Sequence, residues 1–263
     1  MEINVALFRI KRFFIYWLTK MDEHSLQPPF VFSLYCTVLK PASKMDDTHP
    51  ALCLWVELTK DTNLVDSTAG AGTSLGASQT IGQIAKYGTT PMRYSWMIKR
   101  MLEHIEAKSV LELGTSLGLN VSVLAEAQTV QSVVTVERNV MLAQKAQTHF
   151  SLLGVDTKVR LLEQDIDDVL PNMLDCGESF DLIYLDANHT YEATMRYWGM
   201  LRGLVNPQLG VVIFDDINWS SGMRRAWEEI SGAFGQGIVI ENFQMGILVF
   251  KRELSKKSYV LDF

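Results

Sequence analysis

Three places in the sequence combine residue types that do chemistry with positions just past apolar runs. Asp186 follows Phe180 to Leu185, and the pair Asp215-Asp216 follows Gly210 to Phe214. Both runs read as buried strands, bounded by polar residues. His189 stands three residues after Asp186. Carboxylates gathered on one sheet edge repel each other unless a cation sits among them. Oxygen-only ligands of this kind suit Mg²⁺ or another divalent cation. Each residue also has a plainer use. Asp186 can bond a helix terminus, Asp216 can cap a helix, and His189 can be an exposed turn residue.

The third place is the stretch Val110 to Asn120. Ser109 to Leu113 reads as a short buried strand, and the chain then turns at Gly114 and Gly118 with Thr115 between them. An apolar helical pattern follows through Val121, Leu124 and Ala125. Strand, glycine turn and helix open an α/β sheet, with a ligand expected at the strand's carboxyl end. The next strand, Ser132 to Val136, ends at Glu137, 19 residues beyond Gly118. An acid at that distance accepts both hydroxyls of a ribose. A nicotinamide dinucleotide is the rival ligand, but its G-x-G-x-x-G turn is absent. Glu112, two residues before Gly114, would repel a pyrophosphate and suit a cationic amino-acid ligand such as S-adenosylmethionine.

On these residues the sequence resembles the class I S-adenosylmethionine-dependent methyltransferases. Glu112-Leu-Gly-x-x-x-Gly looks most like the catechol and caffeoyl-CoA O-methyltransferase branch. The resemblance implies S-adenosyl-L-methionine as cofactor, held by Glu112, Gly114, Thr115, Gly118, Asn120, Glu137, Asp165 and Asp186. Asn120 would meet the methionine carboxylate, and Asp165 the adenine amino group. It also implies a divalent metal on Asp186, Asp215 and Asp216, although Asp216 stands where the family usually has Asn. His189 occupies the position of a lysine that acts there as general base, with Asp186 beside it. Histidine suits that work near neutral pH. Trp219 and Tyr191 flank the acidic edge and would form an aromatic wall for a flat acceptor. The whole chain is also similar to a group of bacterial methyltransferases, which supplies no substrate.

The elements that must position these residues read as a Rossmann-like α/β sheet. It is mostly parallel, with an antiparallel last strand and an N-terminal helical cap. The short link between Gly237–Ile240 and Met245–Lys251 permits only an antiparallel hairpin. The expected divisions are a helical cap over 1–90, a methyltransferase domain over 91–251 and a tail over 252–263. Leu52 to Leu58 is consistent with helix or strand. The loop holding Gly72-Thr-Ser-Leu-Gly76 repeats the pentapeptide of Gly114 to Gly118, but no strand leads into it. It is expected as a mobile cover or a plain linker.

The chain has 263 residues, 48% of them hydrophobic and 21% charged, which fits a globular α/β protein with an added segment. A net charge of −6 gives no reason to expect nucleic acid. Cys36, Cys53 and Cys176 form no disulfide or zinc spacing, which points to the cytoplasm. The aromatic run Phe13 to Leu18 is too short to span a bilayer. Packing against the main domain or a second copy, as a homodimer, is preferred over a membrane surface, because apolar residues run nearly all round the helix. The expected function is metal-assisted O-methylation of a small hydroxylated acceptor, with an aromatic one among the candidates. The alternatives are metal-independent transfer to a lipid or quinone-like substrate and a non-catalytic scaffold.

Overall fold

The computed structural model describes residues 2–40, 48–66, 78–251 and 253–263. The Gly72–Gly76 loop and most of the polar stretch 41–50 lie outside the described residues. In chain order the helices are α1 (Glu2–Thr19), α2 (Pro29–Leu34), α3 (Pro50–Leu58), α4 (Ile81–Tyr87), α5 (Met92–His104), α6 (Leu119–Ala125), α7 (Val140–Leu152), α8 (Ile166–Asp175), α9 (Tyr191–Leu204) and α10 (Ser221–Ala233). The strands are β1 (Leu64–Asp66), β2 (Ser78–Thr80), β3 (Ser109–Leu113), β4 (Ser132–Val136), β5 (Val159–Leu162), β6 (Leu182–Leu185), β7 (Val211–Phe214), β8 (Ile238–Glu241), β9 (Gly246–Val249) and β10 (Lys257–Val260).

The chain divides into two compact units, 41–169 and 1–40 with 170–263. In the first, β3, β4 and β5 are parallel neighbours in that order. Their registers pair Leu113 with Val136 and Val136 with Leu162, so the three strands end level. The residues that follow them, Gly114, Glu137 and Glu163, therefore share one edge. β3 and β4 are buried apart from their first residues, as expected of parallel strands covered on both faces. The ambiguous run at Leu52 is helical. α3 opens with Pro50 at a first-turn position, and the His49 ring accepts from the Ala51 N–H. A capping box of Thr80 and Gln83 starts α4.

In the second unit β6 and β7 are parallel, and β9 lies between β7 and β8, antiparallel to both. The hairpin is as expected. The antiparallel strand is not the last one, however. β10 follows and pairs parallel with β8. Residues 252–263 thus contribute a strand rather than a tail. The expected 1–90 cap also falls in both units. Residues 1–40 group with the C-terminal half because Met21 N–H donates to the Val260 carbonyl at 2.8 Å and Tyr35 Oη to that of Asp262 at 2.9 Å. Phe13 sets its ring edge-on to Phe243 at 5.4 Å.

The centre of this unit is the buried Trp227 of α10, whose ring lies 5.7 Å from that of Phe214. Gly246 makes room for it: a Cβ there would meet three Trp227 ring carbons at 2.5–2.6 Å. A rigid ring in a packed core cannot move aside cheaply. Gly246→Ala is expected to lower unfolding free energy by about 1–3 kcal/mol, measured by urea denaturation. An unchanged midpoint would mean that Trp227 has another rotamer available.

Candidate active site

The edge at the ends of β3 and β4 is built around the glycine turn. Gly114 and Gly118 have φ of 103° and 74°, and Ser116 between them has φ of 50°. Left-handed backbone at three of five residues folds the chain tightly back over the strand end. At Gly118 the space is also taken. A Cβ would lie 2.6 Å from Cε1 of Phe150. The turn is tied to β4: the Gly114 and Thr115 N–H groups donate to the Val136 carbonyl, and the Thr115 hydroxyl meets that of Thr135 at 2.6 Å. His149 Nδ1 bonds the Leu117 carbonyl at 2.8 Å.

Glu137 accepts from the Ser116 N–H through one oxygen and the Asn139 N–H through the other, both at 2.8 Å. It thereby holds the turn, and burial raises its pKa. Glu112 is 1% exposed, and Asn120 Nδ2 at 3.3 Å is the donor that reaches it. Burial pushes its pKa up to about 8, so at neutral pH it is held as the acid. Oδ1 of Asn120 is buried with no hydrogen-bond partner among the described residues. Asp165 does not join this group. One of its oxygens accepts from the Asp167 N–H at 3.0 Å, at the start of α8, and the other accepts from Arg138 at 3.1 Å.

In the other unit the turns after β6 and β7 each hold a left-handed non-glycine residue, Asn188 with φ 47° and Asp216 with φ 53°. They bring Asp186, His189 and Asp216 together. His189 Nε2 lies 3.5 Å from Asp186 Oδ1 and 3.9 Å from Asp216 Oδ2. Its Nδ1 is buried and has no hydrogen-bond partner among the described residues. Desolvation and the neighbouring Asp215 push Asp216 up to about 6. His189 also lines a cavity of about 510 Å³ with Thr190, Tyr191, Ser220, Ser221 and Arg225 among its walls. Tyr191 thus lines the cavity, capped by the Arg225 guanidinium 3.6 Å above its ring. The Trp219 ring stands 6.2 Å from that of His189.

Asp215 has a different role from the one expected. It is 3% exposed, and it accepts from the Tyr184 hydroxyl, from Gln244 at 3.0 Å and from the Asp216 N–H at 2.8 Å. Its oxygens are committed to protein donors. Among the described residues no three His, Cys, Asp or Glu side chains converge to hold a metal ion. Asp215, expected as a metal ligand with Asp186 and Asp216, instead braces the loop through protein donors. Sequence reasoning missed both braces. Tyr184 is hidden in an apolar strand, and Gln244, which also bonds Asp216 at 2.6 Å, comes from the hairpin loop 28 positions away.

A family model described as a methyltransferase domain matches residues 111–217, from the glycine turn's strand to just past Asp216. That match covers the centre of the chain, and the sheet around it has the Rossmann-like methyltransferase fold. No curated protein matches the sequence. Solved structures share its fold at low identity. The O-methyltransferase TomG of Streptomyces achromogenes, involved in tomaymycin synthesis and in complex with SAM, is 19% identical with a TM-score of 0.52, covering 62% of this chain and 82% of its own. An O-methyltransferase of Bacillus cereus in complex with SAH is 20% identical with a TM-score of 0.53, with the same coverages. Cofactor-bound Rv0187 from MTB is 18% identical with a TM-score of 0.60, covering 87% and 99%. In this chain the buried Glu112, and Asn120 Oδ1 with no partner among the described residues, offer acceptors to a donor-rich cationic group.

The Asp216 shift sets a stability test. Its folded pKa of about 6 lies above the ordinary carboxylate value, so the folded state binds this proton more tightly. That stabilisation is complete below about pH 4 and is lost as pH rises through about 6. Asp216→Asn should therefore flatten the decline in melting temperature over that window. A parallel decline in both proteins would remove Asp216 as its source.

Proposed function

We propose that this methyltransferase methylates a hydroxyl oxygen of a small acceptor, with His189 taking the proton. The observation that carries the reading is the ring's setting: Nε2 faces two carboxylates, and Nδ1 has no hydrogen-bond partner among the described residues. Asp186 and Asp216, both close to Nε2, would steady the imidazolium that forms when the ring takes the acceptor's proton. The oxygen then carries the charge it needs to attack. S-adenosylmethionine supplies the methyl on a cationic sulfur, where displacement needs no further activation. The turn from Gly114 to Gly118, braced by Glu137, would hold that group, and placement of reactants supplies much of the rate in such transfers. Glu112 and Asn120 Oδ1 would hold the cofactor's ammonium, Glu112 as the carboxylate that such a cation favours. The O-methyltransferases of similar fold support oxygen as the methyl acceptor.

Metal assistance has less support, since Asp215 is spent on Tyr184 and Gln244. An apolar, lipid or quinone-like acceptor is a second reading, favoured by the exposed apolar residues of α1. Turnover with a panel of phenolic and quinol acceptors tests both points. Activity is expected to persist in excess chelator. His189→Ala should lower kcat by roughly a hundred- to ten-thousand-fold while cofactor affinity holds. Activity lost to chelator and restored by Mg²⁺ would return the acidic edge to metal chemistry. An unchanged His189→Ala rate would leave the proton to solvent.

A further inference from the structure

We infer that α1 is a lipid-docking helix, which lies flat on an anionic bilayer surface through the face that carries Leu7, Ile10, Phe14, Trp17 and Leu18. One side of α1 is spent on its own unit. Arg12 Nε donates to Asn218 Oδ1 at 3.1 Å, the Arg9 guanidinium sits 5.2 Å over Trp219, and Tyr16 Oη donates to the Leu261 carbonyl at 3.2 Å. These residues recur every three or four positions and so share a face. The apolar residues at 7, 10, 14, 17 and 18 recur likewise and fall on the opposite side. Their exposures run from 54% at Ile10 to 73% at Leu18. What reads in sequence as apolar all round thus resolves into a packed side and a bare stripe. A stripe of large apolar side chains left in water marks a contact surface.

The charge pattern selects the partner. α1 carries Glu2 at its start and then Arg9, Lys11 and Arg12, of which Arg9 and Arg12 belong to the packed side. Beside the stripe this leaves the exposed Lys11, which lipid phosphates complement. Phe14 and Trp17 are bulky aromatics of the kind carried on the apolar face of interfacial helices. Among the described residues no helix is long and apolar enough to cross a membrane, so the helix would lie on the surface. The inference does not depend on the acceptor or on His189.

Co-sedimentation of the full chain with vesicles tests it. The vesicles are phosphatidylcholine alone, or phosphatidylcholine with about a quarter phosphatidylglycerol. The wild type should bind the anionic vesicles, and less well the neutral ones. Phe14→Glu/Trp17→Glu should lower the bound fraction on the order of ten-fold with an unchanged melting temperature, because both side chains are exposed. Lys11→Glu should weaken binding to the anionic vesicles only. Absence of wild-type binding, or binding that the double variant retains, overturns the inference. So does a dimer in analytical ultracentrifugation that the double variant dissociates without any vesicle binding, which would give the stripe to a second copy.

Discussion

A carboxyl group shut away from water with one long hydrogen bond is a costly thing to fold around. Glu112 is such a group, 1% exposed and met by Asn120 at 3.3 Å. It lies inside β3, at the strand end over which the glycine turn folds. Burial favours its neutral form, and a cationic group brought against it would favour the charged one. A positively charged ligand at this edge would find there a carboxyl group that it can ionise. The edge's glycines, the brace from Glu137 to the Ser116 N–H and the open Asn120 oxygen belong to the same arrangement.

The acidic edge of the other unit follows a contrasting logic. Its carboxylates are compensated by the protein itself: Asp215 by Tyr184 and Gln244, Asp216 by Gln244, with His189 close to Asp186 and Asp216. The two left-handed residues, Asn188 and Asp216, are uncommon backbone states kept where the surrounding bonds over-determine them. What remains uncommitted is one nitrogen of His189. Proton transfer is the chemistry that such a group offers.

Much of the architecture was legible in sequence, and the reasons are physical. β3 and β4 match their expected bounds because parallel strands covered on both faces are short apolar runs with polar ends. The hairpin was forced by the length of its loop. β10 escaped notice because Lys257 and Ser258 are exposed and its residues are only half-buried, so it carries no apolar period. α9 starts at Tyr191, well before its apolar stretch, because Thr190 caps it and its first turns are polar. The acid–histidine grouping was readable from strand ends. The partners of each acid were not, since Gln244 reaches Asp215 and Asp216 from a distant loop and only the fold brings them together. For the same reason three acids in sequence suggested a cation, where the fold supplies hydroxyl and amide donors instead.

The central claim is that the buried acid of Glu112 becomes a carboxylate when the cofactor's ammonium arrives. Titration calorimetry of S-adenosylmethionine at pH 7, in two buffers of different ionisation enthalpy, measures this directly. With a starting pKa of about 8, the wild type should release about one proton per cofactor bound, and Glu112→Gln should release none and bind more weakly. Equal heats in the two buffers for the wild type would contradict the account.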